Sequence, residues 1–364
     1  MRIIQVQTQA EAAGAQRVSD MVGEGLRSAG HQVRTVYMYR KTDVYDGDPN
    51  ADFILLEPPR GVIDLLRAVW GLLRYLRREK PDAVLSYQYY GVAFGTLGAR
   101  LAGARHIIAS QSGEPQKRGL LGLMSLADHV YGALGFYHFS VVNSSWTEKQ
   151  FQRYLPAYRR RLRRIDHGVT SPPQQVERAS SRQHFGIPAD VFLAVSAGRI
   201  TRDKNQRALV QAMALVPDLH VALAGVGPEA AALMDLATEF GAADRLHMVG
   251  EVPPAQIHQF LTAADVFVFP TRFETFGLAG AEAAILGLPV IATDLPVLRE
   301  VLQDTSGVPA ALFVQTDDGG GIAAAIQAIR ASPELGDDLS EAGRRLAVRY
   351  APATMCNGYA ALLV

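Results

Sequence analysis

The chain is poor in cysteine: Cys356 is the only one in 364 residues. That excludes an intramolecular disulfide and any metal site built from several thiolates, and it fits a reducing compartment. Long apolar runs are missing as well. No stretch of about 18 uncharged apolar residues occurs, so no transmembrane helix is expected. The N-terminal MRIIQVQTQ is a short strand pattern, not a basic segment leading into an apolar one, so no secretory signal is read there. Net charge is absent, with 36 basic and 36 acidic residues, and no nucleic-acid partner is expected. G-x-G-x-x-G does not follow the first strand, which counts against an NAD-dependent enzyme. None of the nine histidines forms an H-x-x-x-H pair, so no metal site is read.

What remains is an ordinary globular composition. Apolar residues make up 48%, and the length points to about two domains. Charge is uneven: residues 1–170 hold 23 basic and 15 acidic residues, and the rest 13 and 21. That imbalance suits two domains that meet different ligands, or it is surface drift. We expect a cytoplasmic protein, with contact between its basic first domain and the inner face of a membrane as an extension of that reading.

Short β-branched runs alternate with helical patterns. In the first half, strands are expected at 2–8, 33–37, 53–56, 83–86, 106–110 and 139–142, with helices at 14–29, 62–79 and 91–102 between them. Residues 171–190, polar and proline-bearing, break the rhythm and read as a connection. Strands then recur at 192–197, 220–224, 246–249, 266–269, 289–292 and 311–314. The helices between and after them fall at 205–215, 228–240, 255–263, 277–287, 319–330 and 334–348. This is an α/β chain of two tandem Rossmann-like, doubly wound domains, with ligands expected in the crevice between them at the carboxyl ends of the strands.

The most informative stretch is PTRFETFGLAGAEAAILGLPVIAT, residues 270–293. Glu274 lies in the loop after a buried strand and Glu282 inside the next helix. Thr275, Phe276, Gly277 and Leu278 stand where that helix should begin. A helix start offers free backbone N–H groups to a phosphate, and a carboxylate on each side accepts hydrogen bonds from sugar hydroxyls. The chemistry suggests a nucleotide-sugar. A second element, 196–205, runs from a strand into a helix. Gly198 allows close backbone approach, while Arg199 and Lys204 suit a diphosphate; the alternative is a solvated basic turn.

Weaker candidates follow. Gly225 in G-x-G-P and Gly250 after the next strand are either simple turns or edges of a nucleotide site. Gly14, at the first helix start, offers a diphosphate contact from the other domain. His167 before Gly168 is a candidate ligand contact, whereas His106, His220 and His247 read as packing residues. The run 158–164, rich in arginine, is a solvated basic face or an anion-attracting one. The apolar segments 120–126 and 130–137 read as a buried helix, with a surface for a lipid or apolar acceptor as the alternative.

Taken together, these residues resemble the retaining GT-B glycosyltransferases of family 4, over nearly the whole chain. Glu274 through Glu282 looks like the E-x7-E motif of that family, and 287–292 like its G-x-P-V-I-A. Gly198, Arg199 and Lys204 look like its G-R-x-x-x-x-K, with Asn205 where a glycine is usual. Gly30-His31 matches its "GH", and 225–228 its G-x-G-P. The resemblance implies an acceptor-binding domain over 1–170, a donor domain over 171–348, and a closing helix within 349–364 that packs back on the first domain. It implies sugar transfer from a nucleotide-diphosphate sugar to a hydroxyl acceptor, lipid-linked or polysaccharide, without metal or other cofactor. Glu282 would hold the donor ribose, Glu274 the sugar, the Phe276–Leu278 amides the sugar or its phosphate, and Arg199 and Lys204 the departing diphosphate. Three departures stand out: Ser112, before Gly113, replaces an expected histidine on the sugar and acceptor side; the usual N-G-V-D is 166–170, DHGVT; and Ala13-Gly14 replaces a glycine pair.

Three other readings remain open at this point. A nucleotide-sugar epimerase also fits a two-domain fold of this shape. A small natural-product acceptor stays open, although the basic, partly apolar first domain leans toward a lipid-linked or polysaccharide acceptor at a membrane surface. A glycosidase needs carboxyls straddling one bond, for which Glu282, inside a helix, is poorly placed.

Overall fold

The structure is a computed structural model describing residues 1–11, 13–170 and 176–364. Ala12 of the first loop and 171–175 of the connection lie outside the described residues. The chain divides into two compact units, Met1–Gly168 with Pro352–Val364, and Val169–Ala351.

The first unit is a seven-stranded sheet in which every pairing is parallel. Its strands are β1 Arg2–Ala10, β2 Gln32–Arg40, β3 Ala51–Leu55, β4 Ala83–Tyr87, β5 His106–Ser110, β6 Phe139–Val142 and β7 Leu162–Arg164, in the order β3-β2-β1-β4-β5-β6-β7. Central strands are buried on both faces, which explains the apolar runs at the start of β1 and in β4 and β5, and the buried Gln5 and Gln7 of β1 donate to the carbonyl and hydroxyl of Ser19. The closing helix Pro352–Ala361 belongs to this unit. Tyr359 shares a 2.8 Å hydrogen bond with Ser110 at the end of β5, and the Cys356 thiol donates to the Met21 carbonyl.

The second unit is a six-stranded, all-parallel sheet. It comprises β8 Phe192–Ala197, β9 Leu219–Ala224, β10 Leu246–Gly250, β11 Val266–Phe269, β12 Val290–Thr293 and β13 Ala311–Val314, in the order β10-β9-β8-β11-β12-β13. One core, from Leu209 and Met213 through Val221 and Val268 to Ile326, runs beneath its helices. The strand order reverses between β8 and β11. That is where open α/β sheets bind ligands, because successive loops diverge there and leave a gap.

Several elements differ from expectation. The basic run contains edge strand β7, and its Tyr158 is fully buried. The expected helix 91–102 is a π-helical turn, Gly91–Gly95, followed by an α-helix, Thr96–Ala102. The connection holds the helix Arg178–His184, whose Arg182 is buried and paired with Asp265 at 2.9 Å. The helix Gly119–Leu134 buries Met124, Ser125, Asp128 and Gly132 but leaves Leu120, Leu123 and Leu126 in solvent, so it is only half buried.

A buried polar cluster fixes this part of the first unit. Asp128 accepts from the Tyr158 hydroxyl at 2.8 Å, the Tyr137 hydroxyl at 2.9 Å and the Gln111 amide at 3.0 Å. Burial pushes its carboxyl up from the usual 3.8 to about 6, against the lowering effect of these three donors. The folded carboxyl therefore holds its proton more tightly than the unfolded one, and stability falls as pH rises from about 4 to 6. Asp128→Asn removes that titration. The stability of wild type relative to this variant should drop by ~2 kcal/mol between pH 4 and 6.5, measured by urea unfolding at each pH. A difference that does not change with pH would contradict the assignment.

Candidate functional site

In the second unit, the loops leaving β8 and β11 are laced together. The Arg272 amide donates to the Asp203 carbonyl at 2.8 Å, and the Thr271 hydroxyl reaches the same carbonyl at 3.2 Å. The Arg272 guanidinium reaches the Arg202 carbonyl at 2.6 Å and the Asp317 carboxylate at 2.8 Å. Across this seam Lys204 forms a direct ion pair with Glu274. Their side chains are 25% and 13% exposed, so the pair is neither fully wet nor sealed. The Lys204 ammonium also stands 5.7 Å from the centre of the Phe269 ring.

Asn205 explains its own departure from the family pattern. It sits in the left-handed region at φ 53 and precedes the helix Gln206–Met213. Glycine is the usual residue there, and asparagine is among the few others that tolerate it. Its side chain adds what glycine lacks, donating to the Pro270 carbonyl at 3.0 Å. The residue that turns the first loop thereby anchors the second.

The third loop, after β9, packs on the first. A Cβ on Gly225 would lie 2.0 Å from the Gly198 carbonyl oxygen, and φ at Gly225 is 138. The Gly198 amide donates to the Ala224 carbonyl at 2.9 Å, and the Gly225 amide to the Gly250 carbonyl at 2.6 Å. Gly198, Gly225 and Gly250 thus form one row across the carboxyl ends of β8, β9 and β10. A steric reason accounts for the G-x-G-P turn whether or not a ligand touches it.

On the other side of Glu274, the chain passes half-buried Thr275 and buried Phe276 to Gly277. Phe276 packs edge-on against Tyr350, with ring centres 5.2 Å apart. Gly277 takes φ 92 and starts the helix Leu278–Ile285. No side chain caps that start, so its first amides and the positive end of its dipole are available to an anion. Glu282, in the second turn, is 3% exposed. Arg199 is exposed at the mouth of the first loop, where Gln206 holds its carbonyl at 3.1 Å. The structure therefore gathers Gly198, Arg199, Lys204, Gly225, Gly250, Glu274 and the 275–278 turn at one end of one sheet. Sequence reading missed Thr271, Arg272 and Asp203, which hold the two loops together, because polar loop residues carry no periodic signal.

The remaining candidates lie in the first unit. Gly14 is the first residue of the helix Gly14–Ser28, which no side chain caps. Ser112 and Gly113 follow Gln111, and a Cβ on Gly113 would meet the Tyr89 hydroxyl at 2.4 Å. That hydroxyl donates to the Glu114 carbonyl at 2.6 Å. His167 is buried, with its Nε2 3.0 Å from the Asn143 amide, and burial pushes its imidazole down to about 4. His220 and His247 stack with Nδ1 and Nε2 3.0 Å apart, a packing pair at neighbouring strand starts. Among the described residues, no group of three His, Cys, Asp or Glu is placed to hold a metal ion.

Residues 13–198, a little over half of the chain, match the model of the glycosyl transferase 4-like domain, and residues 177–346 match that of glycosyl transferases group 1. The lipopolysaccharide core biosynthesis glycosyltransferase LpsD of Rhizobium meliloti (strain 1021) is 32% identical over 49% of this chain and 51% of its own. A D-inositol 3-phosphate glycosyltransferase of Saccharomonospora viridis is 31% identical over 58% of this chain and 51% of its own. The chain thus spans about half the length of these curated relatives. Anabaena Alr3699/HepE, solved in complex with UDP and glucose, superposes with TM-score 0.81 over 99% of this chain and 98% of its own, at 17% identity. Sucrose-phosphate synthase of Thermosynechococcus elongatus gives 0.82 over the same shares, at 23% identity. Sequence match and fold agree: this chain belongs to the family 4-type glycosyltransferases of GT-B fold.

Proposed function

We propose that this protein transfers a sugar, with retention of configuration, from a nucleotide-diphosphate sugar to a hydroxyl acceptor in polysaccharide or glycolipid biosynthesis. The observation that carries the reading is the Lys204–Glu274 pair at the strand-order reversal, beside an uncapped helix start. One cation, one carboxylate and a helix start without a side-chain cap match one diphosphate and one sugar. Curated relatives act in lipopolysaccharide core synthesis and on D-inositol 3-phosphate by name, which supports an acceptor of glycan or glycolipid type.

In this reading the bond from the anomeric carbon to the diphosphate breaks and a bond to the acceptor oxygen forms on the same face. The acceptor proton passes to a leaving phosphate oxygen. Arg199 and Lys204 meet the charge that builds on the departing diphosphate, the role a metal plays elsewhere, so transfer proceeds without one. Amides of Phe276, Gly277 and Leu278 hold phosphate or sugar. Glu274 takes a sugar hydroxyl and Glu282 the ribose, while Gly198, Gly225, Gly250 and Thr275 shape the nucleotide seat. Gly14 supplies backbone to the diphosphate, and Ser112, Gly113 and His167 are assigned to the sugar and acceptor side. His167, held by Asn143 inside the fold, would act by shaping that side more than by proton transfer.

Product analysis with candidate nucleotide-sugars tests the class of reaction. Acceptor-dependent release of a nucleoside diphosphate is expected, and sugar interconversion without acceptor would mean an epimerase. Lys204→Ala should lower kcat by roughly 10²-fold while thermal melting stays within a few degrees of wild type; a variant that unfolds would make Lys204 structural. Glu282→Ala should raise the donor KM by roughly tenfold or more, with Glu282→Gln intermediate. An unchanged donor KM in both would remove the ribose role.

A further inference from the structure

The transfer reaction makes no use of the amino ends of β5, β6 and β7. They edge an open groove of about 540 Å³, a size that suits a small ligand. Arg105, His106, His138, Arg160 and Arg161 line it, at the end of the sheet away from Ser112 and Gly113. Among the described residues no acidic side chain lines it, and the terminal Val364 at its rim is fully exposed. Among the described residues, too, Arg105, Arg160 and Arg161 have no ion-pair partner.

Two of these groups are held in place before any ligand arrives. Half-buried Arg161 donates from Nε to the Gly132 carbonyl at 2.9 Å and from Nη1 to the Tyr137 carbonyl at 3.2 Å. That fixes its guanidinium without cancelling its charge. The Ile107 amide donates to His138 Nδ1 at 3.1 Å, so the neutral ring carries its hydrogen on Nε2. Burial first, and then the cations His106, Arg100 and Arg161, push the His138 imidazole down. The neighbouring charges that act on it all have one sign.

Charge decides what the groove fits. Three guanidinium groups and two imidazoles around one concavity call for an anion of more than one charge. A carboxylate brings one. A phosphate monoester brings close to two near neutral pH, with three acceptor oxygens, and guanidinium forks match those oxygens in pairs. Phe139 and Leu362 complete the wall and give the organic part of an ester an apolar contact. We infer that this groove binds a small phosphate monoester, apart from the transfer site. The inference needs neither donor nor acceptor, so it stands or falls separately from the transfer reaction.

Calorimetric titration of the full chain with phenyl phosphate and with inorganic phosphate tests it. Wild type should bind phenyl phosphate about threefold or more tighter than inorganic phosphate, since only the ester reaches Phe139 and Leu362. Arg105→Gln/Arg160→Gln should lose about tenfold or more in affinity for both. Its melting temperature should hold, because both side chains are exposed. Lys204→Ala should bind both probes as wild type does, which separates the groove from the proposed diphosphate seat. In proton NMR the His138 ring should titrate at higher pH with phenyl phosphate than without it, while His220 stays where it was. Four results would overturn the inference: no binding of either probe, equal affinity in wild type and Arg105→Gln/Arg160→Gln, loss of binding in Lys204→Ala, or binding to phosphatidic acid vesicles without binding to phenyl phosphate.

Discussion

Lys204 and Glu274 are 70 residues apart in the chain, and they meet as an ion pair. The meeting depends on one feature of the second sheet, the pairing of β8 with β11, Val266 opposite Ala194 and Phe267 opposite Val195. Parallel neighbours send their following loops out at the same end. Because strand order reverses there, no other strand's loop comes between them. A backbone bond from Arg272 to Asp203 and a side-chain bond from the Asn205 amide to the Pro270 carbonyl then clamp the loops. The ammonium and carboxylate are therefore held before any ligand arrives, and little reorganisation remains to be done at the moment of reaction.

Around that pair the local rules agree with one another. Close approach of the Gly198 carbonyl forbids a side chain at Gly225, and the positive φ at Gly277 turns the chain into a helix start without a cap. Both stand at the end of the sheet where the two charges meet. In the proposed reading an anion there meets a cation and the dipole end of a helix without a side-chain cap, while Glu274 gives a sugar an acceptor of hydrogen bonds.

Most strands of both sheets were legible because buried parallel strands are short β-branched runs, and the 266–269 and 290–293 strands bracket the glutamate segment in that way. The donor-side motif was legible because glycine, cation and carboxylate types recur at fixed offsets. Other parts were not. Leu162–Arg164 is an edge strand whose arginines face solvent, so composition hid it inside a basic run. The helix Arg178–His184 carries no apolar stripe and is held instead by Arg182 on Asp265 and on the Ala263 carbonyl. The helix Gly119–Leu134 looked buried because apolar residues surround it, yet several of its leucines stand in solvent. Asn205 read as a defect in a glycine pattern, and only its φ and its bond to Pro270 show why it serves.

The central claim is that Lys204 grips the diphosphate and Glu274 the sugar. Calorimetric titration of Glu274→Gln with a nucleoside diphosphate, and then with the nucleotide-sugar, tests it most directly. The account predicts that this variant keeps or gains affinity for the nucleoside diphosphate, since an acid beside the phosphate seat is gone, and loses affinity for the nucleotide-sugar. Equal loss for both ligands would contradict it, because Glu274 would then serve only to position Lys204.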